Sequence, residues 1–174
     1  MNNAQLINQT SGDVEYYTPG PIVEAARRVM GRIDLDPASC PLANKTVQAR
    51  TIYTAERDGL SLPWGLNVWL NHPFGRHTNK LWVNKLMHEY QIGNVKQACC
   101  ITFASTSEAW FQPLFDYPQC YLSPRVNYLG SDGKPVKGCT KGSVVTYLGP
   151  DVSRFIAEFS SMGRVMLPAE VTKA

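Results

Sequence analysis

Asn67-Val68-Trp69-Leu70-Asn71-His72-Pro73-Phe74 is the stretch from which the rest of this chain is read. Asn67 to Leu70 has the apolar, bulky character of a buried strand. It ends on a polar residue, Asn71, then a turn stiffened by Pro73, then Phe74, whose ring is expected to be exposed. Such a strand end can grip a flipped nucleobase: an amide and backbone carbonyls hold an exocyclic amine while the ring stacks on the base face. The same residues also read as a strand end with a proline turn and a core phenylalanine.

On either side, strands and helices alternate. Pro21 suits the first turn of a helix whose apolar face is Ile22, Val23, Ala25, Ala26 and Val29, with Gly31 as its cap. Ile33 to Asp36 reads as a short strand stopped by Pro37, Leu42 to Val47 as a helical turn, and Ala49 to Thr54 as a second strand. Downstream, Asn79 to Tyr90 has helical spacing at Leu81, Trp82, Lys85, Leu86 and Glu89. Lys96 to Ala104 is an unbroken apolar strand of the kind buried on both faces. Glu108 to Phe115 reads as a short aromatic-rich helix, Cys120 to Leu122 as a strand, and Asp132-Gly133 as a hairpin turn. Val144 to Leu148 is the last strong strand, and Asp151 can cap a final helix over Val152 to Ser161. This order predicts an α/β fold: an open, mostly parallel sheet with an antiparallel edge strand and helices on both faces. Residues 1–12 are polar and aperiodic, a flexible tail ahead of a single domain over 13–174. In such sheets ligands bind at the carboxyl ends of strands, which is where Asp36-Pro37, Asp58 and Asn71 fall.

The totals narrow the class. The chain has 174 residues, 44% hydrophobic and 18% charged, ordinary for one globular domain. No apolar run approaches the roughly 20 residues that span a bilayer, and the first residues have neither a basic nor an apolar signal region. A cytoplasmic location is the expectation. The five cysteines (Cys40, Cys99, Cys100, Cys120 and Cys139) show no C-x-x-C spacing, and the three histidines have no metal-site company, so reduced buried thiols and no metal are expected. Net charge is +3, and Tyr121 to Lys141 alone carries Arg125, Lys134, Lys137 and Lys141 against Asp132, an equal excess of 4 − 1. That arm fits phosphate contact; a solvated hairpin tip explains it equally well.

Three further patches carry possible chemistry. Tyr16-Tyr17-Thr18-Pro19-Gly20-Pro21 sets an aromatic and hydroxyl pair before a helix start. Ile33 to Ser39 puts the Asp36 carboxylate at a strand end before small residues, an arrangement able to hold the amino group of a cofactor's amino-acid moiety. Thr54 to Leu60 offers acids for a ribose hydroxyl or an adenine amine, or simply a solvated turn. At Asn71, methylation of an exocyclic amine needs no strong base. Hydrogen bonds from the amine to the Asn71 oxygen and to the residue 72 carbonyl favour the geometry of attack on a sulfonium methyl.

In order and spacing, these landmarks resemble the small phage and prophage DNA adenine-N6 methyltransferases, from about Asp13 to Gly149. The landmarks are Tyr17-Thr18-Pro19, Ile33-Asp34-Leu35-Asp36-Pro37-Ala38-Ser39, Asp58-Gly59-Leu60, Trp64, Val68-Trp69-Leu70-Asn71-x-Pro73-Phe74, Trp110-Phe111, and Arg125 with Tyr128. The resemblance implies a Rossmann-like methyltransferase fold, S-adenosylmethionine as methyl donor and adenine in DNA as target. Tyr17, Thr18, Pro19, Asp36, Pro37 and Ser39 then line the cofactor pocket, with Asp58 as a further contact. Asn71, His72, Pro73 and Phe74 form the base pocket. Arg125, Lys134, Lys137 and Lys141 face DNA on the strength of their charge, with short or relaxed sequence specificity.

The chain departs from the family's pattern at His72, where a proline is expected. Histidine restores an N–H, frees φ and brings an imidazole to the site. Three outcomes stay open: the carbonyl keeps its place, the turn relaxes and activity falls, or the imidazole creates a new specificity. The alternatives in function are a catalytically impaired relative that binds DNA or a host protein, methylation of cytosine N4, and methylation of RNA or free nucleotides.

Overall fold

The computed structural model describes residues 16–75, 77–130, 132–136 and 140–169, so the predicted tail over 1–12, Lys137 and Cys139 lie outside the described residues. One sheet organises them. Its strands are β1 (Leu35–Asp36), β2 (Thr51–Ile52), β3 (Leu66–Leu70), β4 (Val95–Phe103), β5 (Gln119–Leu122), β6 (Ser143–Leu148) and β7 (Gly163–Met166), in the order β2-β1-β3-β4-β6-β5-β7. β2, β1, β3 and β4 pair in parallel. β6 is antiparallel to both β4 and β5, and β7 is antiparallel to β5. The sheet does end in an antiparallel edge strand, but it is β7, a segment not read as a strand from sequence. A second antiparallel strand, β6, lies inside the sheet, so the sheet is more mixed than the alternation of elements implies.

Strand alternation sorts the core into two layers. Trp69, Cys99, Ile101, Val145 and Tyr147 face one side and pack with α1 (Gly20–Met30) and α4 (Val152–Phe159). Val68, Leu70, Ala98, Cys100, Val144 and Leu148 face the other and pack with α3 (Asn79–Gln91). The adjacent thiols Cys99 and Cys100 therefore sit on opposite faces, both free and buried. Helices cover both faces, as predicted, and the architecture is compatible with a Rossmann-like fold.

Local chemistry sets the helix ends. Pro21 opens α1 where its missing N–H costs nothing, and Gly31 leaves it at φ 76°. The Asp151 side chain accepts from Arg154 N at 3.1 Å and caps α4. α3 is rotated relative to the predicted stripe: Trp82, Val83, Leu86 and Met87 are buried, whereas Leu81 is 53% exposed. Glu89 is buried and satisfied by Lys85 Nζ at 2.6 Å and Asn94 Nδ2 at 2.7 Å. The predicted α-helix over Glu108 to Phe115 is instead a series of turns with a 3-10 helix over Gln112–Asp116. Phe111 N reaches Glu108 O and Leu114 N reaches Phe111 O, both i to i−3 bonds, and Pro113 has no N–H to continue a ladder. Its aromatic residues Trp110 and Phe111 fill the core without a helical face.

Chain order places a crevice. From β1 the chain moves outward to β2, then returns to the opposite side of β1 as β3. Between β1 and β3 the connections part in opposite directions, and ligands of open α/β sheets bind at the carboxyl ends of the strands at such a point. Asp36 ends β1 and Asn71 follows β3.

Candidate functional site

A cavity of about 220 Å³ opens at that crevice. Its walls come from the loop before α1 (Tyr16, Tyr17, Thr18), from the end of β1 (Asp36, Ala38, Ser39) and from the turn after β3 (Asn71, His72, Pro73). It thus gathers seven residues singled out from sequence: Tyr17, Thr18, Asp36, Ser39, Asn71, His72 and Pro73.

The first wall is held by a short ribbon. Tyr17 N donates to Leu129 O and Leu129 N donates back to Tyr17 O, each at 2.9 Å. Leu129 belongs to the predicted hairpin, closed by Gly130 N to Lys134 O at 2.9 Å and Val136 N to Tyr128 O at 2.7 Å, with Gly133 at φ 73°. Leu129 and Gly133 also border the cavity.

Asn71 is fixed by the same segment. Its Nδ2 donates to Tyr16 O at 2.6 Å. A carbonyl only accepts, so the amide nitrogen must face Tyr16 and the amide oxygen turns elsewhere. Asn71 Oδ1 is buried with no hydrogen-bond partner among the described residues, and the same holds for Thr18 Oγ1 and His72 Nε2. Buried polar atoms are normally satisfied, each open one costing on the order of 1–3 kcal/mol. With Ser39 Oγ, four open ones lie on residues that share one cavity.

Asp36 is 2% exposed. Burial pushes its carboxyl up to about 7, against the neighbouring Ser39 hydroxyl and the Ala38 N–H, which favour the ionised form. Ala38 N donates to Asp36 Oδ1 at 3.2 Å, while Ser39 Oγ leans toward the carboxyl without a hydrogen bond of ordinary geometry. Near neutral pH this group is poised to ionise when a cation meets it. The fit to an ammonium group is therefore good.

His72 is 1% exposed. Its ring lies parallel to Trp82 (4°, centroids 6.4 Å apart) and edge-on to Phe74 at 5.7 Å. Burial lowers its pKa to about 4, partly offset by the Pro73 carbonyl 3.0 Å from Nδ1. The imidazole is neutral at pH 7. In the turn that follows, Pro73 O also accepts from Gly75 N at 2.9 Å and Thr78 Oγ1 at 3.2 Å.

Four sequence expectations are corrected. Phe74 is not an exposed stacking face; it is 9% exposed and packs on Phe103 at 4.3 Å, with Tyr16 and Tyr128 around it. Four rings converge there, and their mutual burial outweighs exposing one of them. Asp58 does not line the cavity; it is exposed and its Oδ1 accepts from Leu60 N at 3.2 Å. Pro37 is buried just beneath, where Gly59 presses so close that a Cβ there would sit 1.9 Å from Pro37 O. Pro19 serves as the cap of α1, its carbonyl accepting from Ile22 N at 3.2 Å.

Of the basic arm, Arg125, Lys134 and Lys141 are exposed and do not line the cavity. Lys141 Nζ lies 5.3 Å from the Phe103 ring centroid, and Lys134 sits on the hairpin that borders the cavity. The helical turn expected over Leu42 to Val47 forms as α2 (Pro41–Val47), but sequence reasoning missed that its Lys45 and Thr46 are part of the wall, together with Cys40, which caps that helix. Its only signal is position, directly after the Asp36–Ser39 loop. Among the described residues there is no group of three or more His, Cys, Asp or Glu able to hold a metal, and no helix long and apolar enough to cross a membrane. No protein-family model matches this chain, and no curated protein matches it.

Proposed function

We propose that this chain is an S-adenosylmethionine-dependent methyltransferase acting on the N6 amine of adenine in DNA. One observation carries the proposal: across the crevice from Asp36, Asn71 is pinned through its amide nitrogen to Tyr16 O, which leaves its oxygen an open acceptor. S-adenosylmethionine, when bound, would supply an electrophilic methyl group to the amine nitrogen, which would release one N–H proton to solvent in exchange, the electron pair of the broken bond staying on sulfur. Asp36, ionised, holds the ammonium of an amino-acid moiety, and Thr18 Oγ1 offers a further polar contact. Asn71 Oδ1 accepts an N–H of the base amine, which turns the nitrogen lone pair towards the methyl group. Tyr16, which lines the cavity, packs on the rings of Phe103 and Phe74. The exposed cations Arg125, Lys134 and Lys141 supply phosphate contacts on the side of the hairpin.

The buried position of Phe74 favours a second reading, a protein of this fold that binds DNA or a host protein without transferring methyl groups. Incubation with DNA and isotope-labelled S-adenosylmethionine, followed by nucleoside mass spectrometry, separates the two. The enzyme yields N6-methyladenine, and Asn71→Ala does not. No product from wild type, and none restored by His72→Pro, refutes the enzyme.

A further inference from the structure

The imidazole of His72 is built into the site. Trp82 and Phe74 fix its plane on two sides, and its Nδ1 lies 3.0 Å from the Pro73 carbonyl. Because a carbonyl only accepts, Nδ1 carries the ring proton. Nε2 of the neutral ring is then a lone-pair acceptor, buried and without a partner among the described residues. The preceding residue presents a second such acceptor, Asn71 Oδ1, because its amide nitrogen is turned to Tyr16 O. Both residues line the cavity. Consecutive residues therefore bring two unpartnered acceptors to the lining of one cavity.

We propose that Asn71 Oδ1 and His72 Nε2 act as a pair that takes the two N–H groups of one exocyclic amine, which makes His72 a specificity-determining residue. This rests on the function proposed above and sharpens it. An amino base, adenine or cytosine, satisfies both acceptors. A base with a carbonyl at the same position brings a lone pair against two others and leaves all of them unpaired. A site built to hydrogen-bond a group rejects the analogue that lacks it far more strongly than an apolar pocket does.

The test is binding, with S-adenosylhomocysteine present, of an oligonucleotide holding a single adenine against the same strand with hypoxanthine at that position, read by fluorescence anisotropy. Wild type is expected to prefer adenine at least roughly tenfold. His72→Phe keeps a flat ring between Trp82 and Phe74 but has no acceptor. It is expected to lower the preference severalfold, with Asn71 Oδ1 left as the one acceptor, while S-adenosylhomocysteine still binds. His72→Gln, whose amide oxygen reaches a similar distance, is expected to restore the preference. Should His72→Phe not fold, His72→Leu gives the same readout. A measurement without any variant uses ¹⁵N-histidine: the Nε2 resonance shifts upfield on addition of the adenine strand and not on addition of the hypoxanthine strand. If His72→Phe or His72→Leu retains the preference while Asn71→Ala abolishes it, the imidazole only packs and this inference is overturned with the proposed function intact. If wild type binds neither S-adenosylhomocysteine nor adenine in preference to hypoxanthine, the proposed function falls and this inference with it.

Discussion

Replacing Asp36 by asparagine is expected to stabilise the ligand-free protein, and to do so only above acid pH. Burial moves the Asp36 carboxyl from 3.8 to about 7. The folded state thus holds this proton more tightly than the unfolded chain. The contribution of the neutral carboxyl is fully present below 3.8 and is lost as pH rises through 7. The gap corresponds to about 4 kcal/mol, an upper bound because a buried site relaxes and admits water once charged. Asparagine matches the shape, carries no charge and retains an oxygen for the Ala38 N–H. Urea unfolding of both proteins from pH 4 to 8, followed by tryptophan fluorescence, measures the difference. Titrations common to the two proteins cancel in it. The curves should coincide near pH 4 and separate with rising pH. By pH 8 the variant should be the more stable by up to about 4 kcal/mol, or roughly 8–16 °C in melting temperature for a domain of this size. Calorimetry with S-adenosylhomocysteine should show binding lost in the variant that gains stability. A difference that does not change with pH, or a variant less stable at pH 8, refutes the assignment of a buried carboxyl with no cation beside it.

His72→Phe should remove an acid sensitivity. Burial depresses the imidazole to about 4, so its neutral form contributes stability above 6.5 that is lost as pH falls towards 4; wild type should lose about 3 kcal/mol relative to the variant between pH 7 and 4.5, measured by the difference in their denaturant midpoints. Gly59→Ala places a Cβ 1.9 Å from Pro37 O, so the loop must leave the end of β1; a loss on the order of 1–3 kcal/mol in unfolding free energy checks it. Alanine at Arg125, Lys134 or Lys141 should weaken DNA binding irrespective of sequence and reduce the slope of log affinity against log salt by about 0.9 for each phosphate that is no longer neutralised.

What the sequence makes legible is what short-range chemistry fixes. Pro21 and Gly31 bracket α1, Asp151 caps α4, Asp132-Gly133 turns the hairpin, and Asn71 stands at the end of β3, each from a signal within a few residues. The site's polar members follow, because a strand end at a switch point puts Asp36 and Asn71 side by side. Features set by distant partners are not legible. Phe74 is buried by Phe103, Tyr16 and Tyr128, which come from three other parts of the chain. β7 is an edge strand of four residues whose only strand partner among the described residues is β5, and nothing in Gly163 to Met166 announces it. The rotation of α3 depends on Trp82 meeting Trp64 and His72, and local periodicity does not distinguish that face from its neighbour.

Asp36 and His72 also oppose one another, and that bears on how the cavity recognises charge. As pH rises from about 4 to about 6.5, the folded state gains from His72 and loses from Asp36, so wild-type stability changes little over a range in which both groups are strongly perturbed. A flat wild-type profile is therefore no sign of ordinary pKa values; only the single substitutions separate the two slopes. Within that window the ligand-free cavity keeps both walls uncharged. A cation arriving at Asp36 reverses one of the two: the carboxyl ionises, and charge that burial disfavours is met by opposite charge. His72 has no such route, since its Nδ1 proton is committed to Pro73 O and its Nε2 is an acceptor. The two sides of the cavity thus favour different ligand groups, a cation at β1 and an uncharged hydrogen-bond donor at β3, which is the division of labour that the proposed function requires.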